Sequence, residues 1–138
     1  MKKHLTAITL ILILTAFSSV QAADWSRFRG PNGTGVDDSA SLPGEFGPDK
    51  NVLWKIDLPS SASSPVFAEG AVFVTASDEE NLIVQRINTK TGKLEWKSKI
   101  KRARNSKIHV QNDSASPTPV VDGENLYAFF QELGVVSF

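Results

Sequence analysis

The side chain best suited to chemistry is His109, in the stretch His109-Val110-Gln111-Asn112-Asp113. An imidazole beside an amide and a carboxylate has the donor set for a metal ligand, or for a general base near neutral pH. A histidine in a polar loop also serves as a structural hydrogen-bonding residue. His109 with Asn112 is therefore carried as a loop site with both roles open. Ser60, Ser61, Ser63 and Ser64 lack His and Asp partners at a recognisable spacing, which leaves a serine nucleophile unsupported. The chain has no cysteine, so thiolate zinc sites, cysteine nucleophiles and disulfide staples are excluded. Lys93, Lys97, Lys99, Lys101, Arg102, Arg104 and Lys107 form the one basic cluster. It has no interleaved aromatics and its lysines alternate along an extended run, so it reads as a solvated face that blunts a sheet edge. No catalytic residue and no metal site emerge from these patterns.

The start of the chain is an address rather than part of a fold. Met1-Lys2-Lys3-His4 is basic, Leu5 to Phe17 is apolar, and Ser18-Ser19-Val20-Gln21-Ala22 supplies small residues before a cut. This is the pattern of a secretory signal peptide over residues 1–22, with cleavage after Ala22 and a periplasmic or secreted product. The apolar run is shorter than the ~20 residues a spanning helix needs, so no membrane span is expected after cleavage. The formal net charge is zero, which argues against nucleic acid as a partner bound by bulk charge. At 138 residues the chain holds one domain at most.

The elements that would position these residues are strands. Leu82 to Trp96 has an apolar, β-branched run, a turn at Asn88 to Gly92, and a second extended run, which is a hairpin signal. Gly92 supplies the positive φ of the turn, with Asn88 and Thr89 as side-chain caps. Val52, Trp54, Ile56 and Leu58 alternate with Lys55 and Asp57, predicting a half-buried strand. Further strands are expected at 65–67, at 71–76 as an inner strand apolar on both faces, and at 96–100, 118–121, 126–130 and 134–138. Asp24 to Gly35 reads as a docked arm anchored by Trp25 and Phe28, and Arg102 to Ser116 as a polar loop. No segment after residue 22 has a 3.6-residue period, and the fold class is all-β.

The strands repeat. Pro65-Val66-Phe67-Ala68-Glu69-Gly70-Ala71-Val72-Phe73 aligns with Pro119-Val120-Val121-Asp122-Gly123-Glu124-Asn125-Leu126-Tyr127, and Leu53-Trp54-Lys55-Ile56 echoes Trp96-Lys97-Ser98-Lys99. A period of roughly 40–50 residues carrying four short strands fits the blades of a β-propeller. Thr91-Gly92-Lys93-Leu94-Glu95-Trp96 resembles the tryptophan-docking repeat of pyrroloquinoline-quinone-type propellers, in which the Trp packs between neighbouring blades. Asn88 stands where that repeat usually has an acidic residue. Trp25-Ser26-Arg27-Phe28-Arg29-Gly30-Pro31-Asn32-Gly33-Thr34-Gly35 is similar to the opening of exported bacterial members of the family, especially planctomycete ones. His109 to Asn112, Ala115 to Pro119 and Asp122-Gly123 resemble their second blade.

The resemblance implies a partial propeller of four-stranded antiparallel blades. After the signal peptide (1–22) and an arm and loop (23–51), residues 52–138 would hold one and a half to two blades. The first is expected over about 52–100 and the second, incomplete, over about 108–138, with the rest of the ring missing. Trp54, Thr91, Gly92 and Trp96 are its structural repeat residues. It further implies an exported binding or scaffold module, without activity of its own, facing a protein, envelope or polysaccharide partner. The alternative is the N-terminal piece of a quinoprotein dehydrogenase oxidising alcohols or sugars. Pyrroloquinoline quinone and calcium would then bind in a full-length protein, since no such site is evident in this piece.

Overall fold

The computed structural model describes residues 24–38, 41–104 and 107–138. The expected signal peptide lies outside the described residues. Four strands, β1 (Val66–Ala68), β2 (Ala71–Ser77), β3 (Asn81–Asn88) and β4 (Leu94–Lys101), form one antiparallel sheet in that order. A second antiparallel sheet holds β5 (Val120–Val121), β6 (Leu126–Phe130) and β7 (Gly134–Ser137). The described residues contain no helix. The fold is all-β, and two successive sheets stacked face to face make it a partial propeller.

Local chemistry sets each turn. Glu69 (φ 52°) and Gly70 (φ 71°) form a two-residue hairpin turn between β1 and β2 whose mirror-type twist matches the strands. Between β2 and β3, Asp78 Oδ1 accepts the N–H groups of Glu80 and Asn81. Between β5 and β6, Asp122 Oδ1 does the same for Glu124 and Asn125. Both are Asx caps in which a short carboxylate substitutes for a backbone acceptor.

Period-two alternation divides the buried residues between two layers. Val66, Ala68, Phe73, Leu82 and Val84 of the first sheet pack against Val121, Leu126, Ala128 and Phe130 of the second. Val72, Val74 and Ile87 form a separate cluster on the opposite face, with Trp54 and Ile56 against it. β2 is thus buried on both faces, as its apolar run predicts.

The arm stitches the sheets together. The Phe67 N–H donates to the Trp25 carbonyl at 2.9 Å, and the Val121 N–H to the Ser26 carbonyl at 2.9 Å. Trp25 is the anchor expected of this stretch, lying over buried Gly30. Phe28 is not; it is 60 % exposed.

Two strand expectations are corrected. Residues 52–58 belong to no described strand, and of the face expected to be half-buried only Trp54 and Ile56 are covered, while Val52 and Leu58 are exposed. A strand is completed by a neighbour that takes its N–H and C=O groups, and side-chain alternation alone does not supply one. The strand expected over 118–121 is only Val120–Val121, since Pro119 has no N–H to give the ladder.

Candidate functional site

The hairpin turn after β3 is built as a dock. Gly92 has φ 67°. Asn88 Oδ1 accepts the N–H groups of Lys90 and Thr91 at 3.0 and 3.1 Å, and the Asn88 amide donates to Glu95 at 2.9 Å. Asparagine therefore fills the acceptor role of the acid expected there and adds a donor that an acid lacks. Thr89 ties this turn to the β1–β2 turn through N–H and hydroxyl donation to the Gly70 carbonyl at 3.0 and 2.7 Å. Trp54, distant in sequence, lies across Gly92 and donates from Nε1 to the Thr89 carbonyl at 2.7 Å. Thr91, Gly92 and Trp54 thus meet in one place.

Trp96 acts one sheet later. Carried by β4, its ring lies 6.4 Å from Phe73 and 5.8 Å from Phe138, against the core between the sheets. It packs in the layer between the two sheets. Arg86 lies over the Phe73 ring at 5.3 Å and pairs with Glu95 at 2.7 Å, closing the rim of this packing. Those contacts hold the Glu95 carboxyl below its usual range, through the Asn88 hydrogen bond first and the Arg86 bond next.

The outward face of the first sheet opens into an apolar groove of about 470 Å³. Trp54, Ile56 and Leu58 form one wall, while Phe67, Val72 and Val74 form its floor. The serine cluster lies at its end and is structural. Ser63 Oγ donates to the Thr75 carbonyl at 3.3 Å, and buried Thr75 donates to the Ala115 carbonyl at 3.0 Å. Gln85, cross-strand from Val74, has a buried Oε1 with no hydrogen-bond partner among the described residues.

A buried ion pair, absent from the sequence expectations, joins the two sheets. Arg102, just after β4, donates from Nε to Glu132 Oε2 at 3.0 Å and from Nη2 to Oε1. Ser114 donates to the same Oε1 at 2.7 Å, and the Glu132 side chain is fully buried. Hydrogen bonding from Arg102, then Ser114, lowers the Glu132 carboxyl from its ordinary value against the opposing effect of burial. Arg102 is thus withdrawn from the solvated basic face, while Lys97, Lys99 and Lys101 remain exposed on β4. Opposite charges thirty residues apart carry no local signal of pairing, which is why sequence reasoning missed this network.

His109 and Asn112 share an exposed turn in which the Asn112 N–H donates to the His109 carbonyl at 2.8 Å. His109 Nδ1 accepts from the Gln111 N–H at 3.3 Å. The turn lies apart from the groove lining and the dock.

The model of a protein family described as outer membrane protein assembly factor BamB, a family of pyrroloquinoline-quinone-like repeats, matches residues 47–138. The chain belongs to this family. No curated protein and no solved structure matches the chain. The matched span begins just before Trp54 and takes in the dock, both sheets and the Arg102–Glu132 pair. The membership accounts for the repeat, the docked indole and the all-β class together.

The resemblance within this BamB-like repeat family raises the fit of pyrroloquinoline quinone, and the described residues do not fit it. A planar tricarboxylate with calcium needs a free aromatic face, cations and clustered oxygen ligands. Trp96 is committed to Phe73 and Phe138. Among the described residues, no group of three or more His, Cys, Asp or Glu side chains is placed to hold a metal ion.

Proposed function

We propose that the chain forms part of an exported bacterial β-propeller, of planctomycete type, that acts as a binding or scaffold module in the cell envelope. The observation that carries this reading is the match of residues 47–138 to a family named for outer membrane protein assembly. The architecture supports it. Conserving interior volume for packing leaves the turns at the strand ends as the variable, partner-facing surface. Here Phe73, Trp96 and Phe138 serve sheet stacking, and polar turns such as His109–Asn112 are presented outward. The partner is a protein or polysaccharide of the envelope, and no quinone enters the reading.

Cell fractionation combined with photo-crosslinking from position 109 or 112 tests it. The expected result is a processed chain in the periplasm or medium, cross-linked to an envelope component from the turn but not from Lys97. A chain retained in the cytoplasm, or adducts independent of position, would overturn the reading. The full-length protein is also to be reconstituted with pyrroloquinoline quinone and calcium. Dye-linked oxidation of alcohols or sugars would replace the scaffold reading with that of a quinoprotein dehydrogenase.

A further inference from the structure

Asn32-Gly33 is the one Asn-Gly pair in the chain. The Cγ of an asparagine is open to attack by the backbone nitrogen of the residue after it, and glycine crowds that approach least. Both residues are exposed in the turn of the N-terminal arm. Gly33 has φ 72°, and nothing lies within 4 Å of where a β-carbon would stand. Asn32 Oδ1 accepts the Thr34 N–H at 3.0 Å and the Thr34 hydroxyl at 2.8 Å. These bonds fold the side chain toward the residues after it. They also place two donors on the oxygen that becomes negative during such an attack.

Asn88, Asn112 and Asp122 share part of this arrangement and lack the rest. Asn88 Oδ1 is also held by two backbone N–H groups, but its follower is the β-branched Thr89, whose own N–H is donated to the Gly70 carbonyl at 3.0 Å. Asn112 is followed by Asp113, whose N–H is donated to the Ser116 hydroxyl at 2.8 Å. Asp122 does precede a glycine, but the N–H groups of Asn125 and then Glu124 hold its carboxyl below the usual range, and an ionised carboxylate is a poor electrophile. The Gly33 N–H donates to the Gly30 carbonyl at 3.1 Å. That bond closes a turn open to water, which replaces it at small net cost. Among the described residues, the hydrogen bonds of this turn stay within residues 30–36. The turn therefore rearranges while Trp25 and Ser26 keep their ties to Phe67 and Val121.

We propose that Asn32 is a self-modifying site, at which the folded chain converts its own amide to aspartate and isoaspartate with water as the co-reactant. Hydroxide takes the Gly33 N–H proton and the nitrogen bonds to Asn32 Cγ, moving the carbonyl electron pair onto Oδ1, where the Thr34 donors stabilise it. Collapse re-forms the carbonyl and breaks the Cγ–Nδ2 bond, and the nitrogen takes a proton from water and leaves as ammonia. Water then opens the succinimide. Cleavage at Cγ gives aspartate, and cleavage at the Asn32 backbone carbonyl gives isoaspartate. One water enters and one ammonia leaves, and nothing is oxidised or reduced. The new carboxylate arises in the turn that Arg27 spans by donating to the Gly30 and Pro31 carbonyls, so it appears beside a fixed cation. Thr34 acts as a positioning residue. This inference does not depend on the envelope role or on any ligand.

The test incubates the full folded chain at neutral and at alkaline pH. Ion exchange follows the acidic product, peptide mapping by mass spectrometry locates it, and enzymatic methylation of isoaspartate identifies the isomer. Conversion is expected at Asn32, faster at the higher pH, with Asn88 and Asn112 left as amides. Thr34→Val removes the hydroxyl donor and should slow conversion about threefold or more, whereas Thr34→Ser keeps that donor and should restore the rate. Gly33→Ala crowds the attacking nitrogen and should slow conversion about tenfold or more. Should that variant alter the circular dichroism of the fold, Asn32→Gln is the second one, and its acidic product at position 32 should fall away. An Asn32 amide that survives incubation, conversion at Asn88 as fast as at Asn32, or a rate unchanged by Thr34→Val would each overturn the proposal.

Discussion

The indole of Trp54 occupies the space that a β-carbon on Gly92 would need. Such a carbon would stand 2.7 Å from two of the indole carbons. Glycine at 92 therefore meets two demands, the positive φ of the turn and the close approach of a ring brought from another part of the chain. Gly92→Ala should destabilise the fold by about 1–3 kcal/mol, from backbone strain and displacement of the indole together. The denaturant midpoint measures it. In a Trp54→Ala background the same change should cost clearly less; an equal cost would mean that the ring contact contributes nothing.

Trp96 fills the layer between the sheets with Phe73 and Phe138. Trp96→Ala should cost about 3 kcal/mol by removing that volume, and Trp96→Phe appreciably less. Unfolding followed by far-ultraviolet circular dichroism separates the two variants, because the signal does not rely on the tryptophan removed.

The Arg102–Glu132 pair should behave as a buried charge pair. Arg102→Met leaves the Glu132 carboxylate buried without its cation and should cost about 3–5 kcal/mol, whereas Arg102→Met with Glu132→Leu should recover most of that loss. The pH dependence follows from the lowered carboxyl. The unfolded chain then binds this proton more readily than the folded one. The stabilisation is present above the ordinary glutamate value near 4.5 and is lost as pH falls below it. Urea midpoints from pH 7 downward should fall more steeply in the native chain than in the double variant.

Gln85 Oε1 is buried and has no hydrogen-bond partner among the described residues. Replacing it with Met keeps the length of the side chain and removes the unsatisfied acceptor, so Gln85→Met should stabilise by about 1–2 kcal/mol. A lower melting temperature for the variant would show that the amide has a partner in solution.

Much of this architecture was legible one residue at a time. β6 spans the residues that its apolar run marks, and β4 presents Trp96, Ser98 and Ile100 inward while Lys97 and Lys99 face solvent. The hairpin at Gly92 was equally clear, because its turn is built from neighbours in sequence. Residues 52–58 show the limit. Their alternation is real in the burial of Trp54 and Ile56, but pairing depends on a strand that sequence neighbours do not provide. Phe28, apolar and beside turn glycines, was expected inside, yet the arm's hydrogen bonds to Phe67 and Val121 leave its ring outside.

By itself the sequence determined the all-β class, the turn chemistry and the repeat, since each rests on patterns no longer than a hairpin or on the chain's likeness to itself. The tertiary structure alone decided which face of each strand meets the other sheet, that Trp54 reaches Gly92, and that Arg102 is spent on Glu132 rather than on solvent. Those outcomes depend on how two sheets stack and on which groups lose water together. Both are set by contacts between residues that the chain order keeps far apart.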